Sequence, residues 1–79
     1  MKRLNLVISK VLCIDEHTIT DETSPENVET WDSFNGLMMV SELERIFNVH
    51  FSLTEITSVK SVKDIRLCLE RHGVILKND

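Results

Sequence analysis

Ser33 is the residue whose position most clearly suggests chemistry, because it directly follows Asp32 where a helical pattern begins. Asp32 is a favourable N-cap, since its carboxylate can accept hydrogen bonds from the open backbone N–H groups of the first turn. A hydroxyl at this position is expected to lie beside the positive end of the helix dipole, where a phosphate ester would be favoured. An Asp-Ser pair at a helix start more often serves only as a cap, so the pair alone does not establish a function.

Three large apolar residues follow Ser33 on the helix face that points away from the predicted core. At 100° per residue, that core face consists of Met39, Val40, Leu43, Ile46 and Phe47, whereas Phe34, Leu37 and Met38 lie on the opposite side. An exposed apolar patch commonly marks a docking site for a partner. Two interpretations stay open at this point: a docking surface, or burial beneath the long loop that precedes the helix.

The remaining reactive side chains give no recognisable catalytic or metal site. His17, His50 and His72 are far apart and have no paired nucleophile. Cys13 and Cys68 appear without a Cys or His at metal-ligand spacing. We therefore expect no catalytic residue and no metal ligand. The two cysteines are expected to be reduced thiols with packing roles, and the alternative is a single disulfide between them.

Helical periodicity predicts an all-α four-helix bundle with three main helices, one short helix and a long loop between helices one and two. The boundaries predicted for these helices are about 2–14, 32–48, a turn or two after Ser52, and 61–73. Ser52 and Glu55 have capping-box spacing. The loop over 15–32 is expected to be held to the core by a few apolar side chains. Gly36, on the core face, is expected to let another helix approach closely.

Composition and charge narrow the class of protein further. The 79 residues are 42% hydrophobic and 28% charged, which indicates one soluble domain. We expect it to be a monomer. Nine acidic residues and no Lys or Arg occur from Asp15 to Glu44. This concentration of negative charge disfavours nucleic acid as a partner and favours basic protein surfaces. No apolar stretch is long enough to span a membrane and no signal peptide is recognisable, so we expect a cytoplasmic protein.

The chain resembles the acyl carrier proteins, which use a phosphopantetheine arm. The resemblance is carried by the run Trp31-Asp32-Ser33-Phe34 and by the downstream segment Leu43-Glu44-Arg45-Ile46-Phe47-Asn48-Val49. These runs are similar to the family patterns Asp-Ser-Leu and Leu-Glu-x-x-Phe-x-Ile, and the resemblance covers essentially the whole chain, residues 1–79. It implies a single carrier domain that is not an enzyme. Ser33 would be esterified by phosphopantetheine from coenzyme A, with Asp32 as the preceding acid.

The same resemblance implies partners, and the departures from it suggest a specialised role. A phosphopantetheinyl transferase would attach the arm, and acyl- or aminoacyl-loading and transferring enzymes would dock on the second helix. Met38 stands where many fatty-acid carriers place a Glu, so the acidic part of the docking surface is reduced to Glu42 and Glu44. Trp31 before Asp-Ser is more typical of carriers for polyketides, nonribosomal peptides or D-alanine. The competing hypothesis is a small helical protein-interaction module without a prosthetic group.

Overall fold

The computed structural model describes residues 2–76. All the regular secondary structure within these residues is helical. The elements are α1 (Lys2–Leu12), a 3₁₀ turn (Glu16–Thr18), α2 (Ser33–Phe47), α3 (Leu53–Ser58) and α4 (Val62–Arg71). This confirms the predicted all-α bundle of three main helices and one short helix, with its long loop after the first. Within the described residues, no helix has the length and apolar character needed to cross a membrane.

The core forms where the apolar stripes of the helices meet. Fully or nearly fully buried are Leu4, Ile8 and Leu12 from α1, Met39 and Leu43 from α2, and Val62, Ile65, Cys68 and Leu69 from α4. Each set recurs at intervals of three or four residues, so one helix face supplies it. Helix α1 ends two residues earlier than predicted, because Cys13 adopts a left-handed conformation with φ of 56°.

The long loop over 13–32 is held to the bundle by apolar and polar contacts. Ile19 and Trp31 are buried in the core, and Val28 packs against it. The loop carbonyl groups of Thr23 and Asp21 accept hydrogen bonds from the first-turn N–H groups of α4, at 2.9 and 3.1 Å. These groups would have no partner inside α4 itself, so the loop completes the start of that helix.

A bidentate ion pair also attaches the loop to α4. The Arg66 guanidinium on α4 donates to both carboxylate oxygens of Asp21, with N–O distances of 3.3 and 3.0 Å. The paired geometry fixes orientation as well as distance. These contacts fix the path of the loop. They therefore also fix the positions of Trp31 and Asp32, which directly precede α2.

Gly36 serves a different purpose from the one predicted. A methyl group at Gly36 would lie 3.4 Å from the indole nitrogen of Trp31, and the nearby atoms belong to that ring alone. The close approach is therefore made by the buried Trp31 side chain, not by another helix. The prediction was wrong because periodicity identifies the face of a helix but not what packs on it.

Candidate functional site

The start of α2 places Ser33 as the first helical residue, with an exposed side chain. Asp32 is the N-cap, and its carboxylate accepts a hydrogen bond from the Asn35 N–H at 2.8 Å. The Asp32 carbonyl accepts the Gly36 N–H at 2.8 Å, which closes the first turn of the helix. The predicted capping role of Asp32 is therefore confirmed, and the Ser33 hydroxyl lies at the positive end of α2.

The turn that carries Ser33 is tied to the rest of the protein through Thr30. The Asn35 side-chain amide donates to the Thr30 carbonyl at 2.8 Å. The Thr30 hydroxyl in turn donates to the carbonyl of Leu12, the last residue of α1. This chain of hydrogen bonds satisfies a terminal carbonyl of α1 and fixes the entrance of α2 relative to it.

An apolar cavity of about 500 Å³ extends from Ser33 into the bundle. This volume lies within the range of about 300–1,000 Å³ that is common for small-molecule sites. Besides Asp32 and Ser33, the walls include Trp31, Leu37, Met39, Val40, Leu43, Phe51, Ile56, Val59, Ile65 and Cys68. The one exposed serine at the start of α2 therefore stands at the edge of a space suited to a hydrophobic chain.

The apolar patch on α2 is exposed, as the helical geometry predicts. Phe34, Leu37 and Met38 keep 70%, 60% and 46% of their surface accessible. The alternative, that the long loop covers them, is excluded for the chain on its own. The patch begins at the residue after Ser33, so a partner that docked there would also reach the serine.

Comparison with known proteins decides the family. No family model matches the chain. An acyl carrier protein of Phytoplasma australiense is 31% identical over 72 residues, which cover 91% of this chain and 95% of that protein. The chain belongs to the acyl carrier protein family. A solved structure from Mycobacterium tuberculosis, whose assignment as an acyl carrier protein is provisional, shares the fold with a TM-score of 0.81. That likeness covers 90% of this chain and 95% of the other at 22% identity, so it bears on the fold alone.

Membership of the family establishes a carrier role in coarse terms. Acyl carrier proteins are carriers and not enzymes, which agrees with the prediction made from the sequence. They generally bear a phosphopantetheine arm and act with partner enzymes in acyl transfer.

The two acidic residues predicted to assist docking in this acyl carrier protein already have partners within the chain. Glu42 forms an ion pair with Arg45, with an N–O distance of 2.7 Å. Glu44 accepts the Phe51 N–H at 2.8 Å and lies 3.5 Å from the Nδ1 atom of His50. Glu44 thus helps to shape the connection between α2 and α3. The predicted docking surface of α2 is consequently more apolar and less acidic than a count of carboxylates suggests.

Sequence reasoning missed a cluster formed by Glu55, Cys68 and His72. The Cys68 Sγ atom lies 3.3 Å from Glu55 Oε2, and His72 Nε2 lies 2.8 Å from the same oxygen. One potential ligand atom from each residue falls within 4.8 Å of the other two. The statement that Cys68 has no His at ligand spacing was wrong, because His72 follows it by four residues. That spacing is the sequence signal that could have indicated the pair.

The environment of the cluster affects how its groups ionise. Burial raises the pKa of the Cys68 thiol, and the neighbouring Glu55 carboxylate raises it further. The Ser52 backbone N–H, followed by the Cys68 thiol, lowers the pKa of Glu55 to about 2. Cys68 and Cys13 are both free thiols. The cluster thus combines a carboxylate, a protonated thiol and an imidazole across the α3–α4 contact.

Proposed function

We propose that this chain carries acyl cargo, or a related thioester cargo such as aminoacyl or polyketide intermediates, on a phosphopantetheine arm attached to Ser33. The observation that carries the proposal is the placement of an exposed serine hydroxyl at the capped start of α2, at the edge of an apolar cavity. We also propose that residues 1–79 act as a single, monomeric carrier domain.

The start of α2 suits a phosphodiester. The N–H groups of Ser33 and Phe34 have no preceding turn to bond to, so they can donate to an anion at the Ser33 side chain. The Asp32 carboxylate is turned toward the Asn35 N–H. When attached, the arm would supply a terminal thiol that holds the cargo as a thioester.

The cavity and the patch give this carrier two ways to handle its cargo. The apolar walls, among them Leu43, Phe51 and Ile65, can exclude water from a hydrophobic chain that enters from Ser33. The exposed Phe34, Leu37 and Met38 can bind the apolar surface of a loading or transferring enzyme. Because the cargo is tethered, each docking event delivers it at a high effective concentration, so weak docking is sufficient and release is fast.

A phosphopantetheinyl transferase is the partner required first. We expect it to activate the Ser33 hydroxyl and to use coenzyme A as the donor, since the neighbouring Asp32 carboxylate is engaged by the Asn35 N–H. The apolar rather than acidic character of the α2 surface favours a specialised carrier over a housekeeping fatty-acid carrier. The polyketide, nonribosomal-peptide and D-alanine systems remain the candidate pathways.

Mass spectrometry of the intact protein tests the proposal directly. After incubation with coenzyme A and a broad-specificity transferase, the chain should gain one phosphopantetheinyl group. The Ser33→Ala variant should gain none, whereas Ser41→Ala, which alters an exposed serine farther along α2, should be modified like the unaltered chain. Modification of Ser33→Ala would refute the assignment. A chain that is never modified would instead support an interaction module without a prosthetic group.

A further inference from the structure

We propose that Glu55, Cys68 and His72 bind a zinc ion, or a divalent transition-metal ion of similar preference, between α3 and α4. This site is separate from Ser33 and does not depend on the proposed attachment of an arm. It would make the short helix α3 part of a metal-stabilised unit with α4.

Two of the three ligand-to-ligand distances lie close to those around a tetrahedral metal, whose fourth ligand would be a water molecule. Zinc binds Cys sulfur at about 2.3 Å, His nitrogen at about 2.0–2.1 Å and carboxylate oxygen at about 2.0–2.2 Å, so neighbouring ligand atoms lie roughly 3–4 Å apart. Here the sulfur–oxygen and nitrogen–oxygen distances are 3.3 and 2.8 Å. The third pair, sulfur to nitrogen, is within 4.8 Å. Rotation of the partly exposed His72 ring toward Cys68 would bring this third pair to the same spacing.

Each of the three side chains is held in place by a separate contact. Ser52 N–H donates to Glu55 Oε1 at 2.8 Å in a capping box, which leaves Oε2 facing the other two ligands. Cys68 is fixed in the core, and His72, the C-cap of α4, follows it by four residues. The His72 ring packs against Phe51 with a centroid distance of 5.4 Å. Such outer contacts commonly orient metal ligands.

The chemistry of the three groups favours zinc over magnesium or calcium. A thiolate and an imidazole suit zinc and other late transition metals, whereas Mg²⁺ and Ca²⁺ prefer oxygen ligands only. On binding, the thiol proton would pass to solvent and the metal–sulfur bond would replace the S–H group. The dication would also offset the repulsion between the resulting thiolate and the Glu55 carboxylate. Arg71, whose guanidinium partly offsets the rise in the pKa of the Cys68 thiol, is exposed and can turn into solvent.

A metal at this site would affect α3 most strongly. This helix has only six residues, so its backbone hydrogen bonds alone give it little stability. It also supplies Ile56 and Val59 to the wall of the apolar cavity, which Cys68 lines as well. Zinc would therefore link a weakly stabilised wall of the cavity to α4. We expect the melting temperature to rise and hydrogen exchange in α3 to slow.

Cobalt spectroscopy and thermal unfolding test the site in the full, untagged, reduced chain. The chain is first freed of metal with a chelator and then titrated with Co²⁺. One equivalent should produce a sulfur-to-cobalt charge-transfer band and the intense visible bands of tetrahedral cobalt, and Zn²⁺ should displace both. Zn²⁺ should raise the melting temperature, whereas Mg²⁺ should not. Absence of the charge-transfer band, or a melting temperature unaffected by Zn²⁺, would overturn the proposal.

Variants identify the ligands. His72→Gln lies at the surface and should preserve the fold while weakening Zn²⁺ affinity by at least about tenfold. Glu55→Gln retains an oxygen for the Ser52 N–H and should weaken the site likewise. His50→Gln and Cys13→Ser are the matched controls and should bind as the unaltered chain does. Unchanged affinity in His72→Gln, or loss of the charge-transfer band in Cys13→Ser, would show that the metal binds elsewhere. The buried Cys68 is not needed as a variant, since the cobalt band reports its sulfur.

Discussion

The two faces of α2 contain the same kinds of side chain but place them in opposite surroundings. Met39 and Leu43 keep 1% and 0% of their surface exposed, whereas Leu37 and Met38 keep more than two-fifths of theirs. Met38 and Met39 are neighbours in the sequence and differ only in the direction that the helix gives them. The comparison shows that residue type alone does not distinguish a core position from a docking position.

The difference also separates two ways in which apolar surface contributes free energy. The buried face removes its surface from water on folding, at roughly 25 cal/mol per Å². The exposed face removes little surface on folding, so its contribution becomes available only when a partner covers it. If α2 works as a carrier helix, substitutions on one face should change stability and substitutions on the other should change transfer.

Leu43→Ala should have the largest effect on stability. Leu43 is fully buried and lines the apolar cavity, so truncation removes buried methyl groups and leaves a void. We expect a loss of about 2–5 kcal/mol in the free energy of unfolding. Urea denaturation followed by circular dichroism measures it. Leu37→Ala is the matched control, because the same substitution occurs on the same helix at an exposed position. An equal loss in both variants would show that the two faces do not differ as described.

Asp32→Ala should have an intermediate effect on stability, since it removes the N-cap of α2, the helix that carries both faces. The lost hydrogen bond to the Asn35 N–H should cost about 0.5–2 kcal/mol of stability. Ser61→Ala removes the cap of α4 and provides a matched control away from Ser33. Both variants should unfold more easily in a denaturant series, but only Asp32→Ala should also slow phosphopantetheinylation.

Asp32→Asn separates the charge of the residue from its capping ability. Asparagine caps helices about as well as aspartate, so stability should change little. If attachment to Ser33 still slows in Asp32→Asn, the carboxylate itself contributes to recognition by the transferase. If both stability and attachment are unchanged, Asp32 acts only as a cap and its predicted role at the arm is wrong.

The parts of the fold that were predicted correctly depend on local sequence patterns. The core face of α2, the Ser52–Glu55 capping box and the exposure of Phe34 all follow from spacings of three or four residues. The position of Ser33 at the start of α2 follows from the Asp32 cap in the same way. Local rules succeeded because each of these features lies within a few turns of one helix.

The features that were missed join residues that are distant in the sequence. The contact of Trp31 with Gly36 and the ion pair of Asp21 with Arg66 depend on how the long loop is packed. Glu55 meets Cys68 only because α3 is placed against α4. Periodicity specifies the apolar face of each helix but not its neighbour or its register. The Cys68–His72 spacing was visible in the sequence, yet the third group could not be assigned without the packing.

Leu37→Ala and Met38→Ala should have the smallest effect on stability and the most specific effect on function. Both side chains are exposed, so we expect the free energy of unfolding to change by no more than about 0.5 kcal/mol. Apolar anchors commonly dominate the energy of docking, so each variant should transfer cargo to a partner enzyme more slowly. Both variants should still be phosphopantetheinylated at Ser33 by a transferase that contacts residues other than Leu37 and Met38. Thermal unfolding and a cargo-transfer assay with the modified protein measure the two effects separately.

Ser41→Ala provides the control for this last prediction, because it alters an exposed position of α2 without removing a large apolar group. It should leave both stability and transfer unchanged. A large loss of stability in Leu37→Ala and Met38→Ala would mean that these residues support the fold, which their exposure argues against. Normal transfer in both variants would place the docking surface elsewhere, since each variant removes one of the three large apolar side chains that a partner on this face would contact. Slower transfer at unchanged stability would show that the outer face of α2 serves partners, as the comparison of the two faces requires.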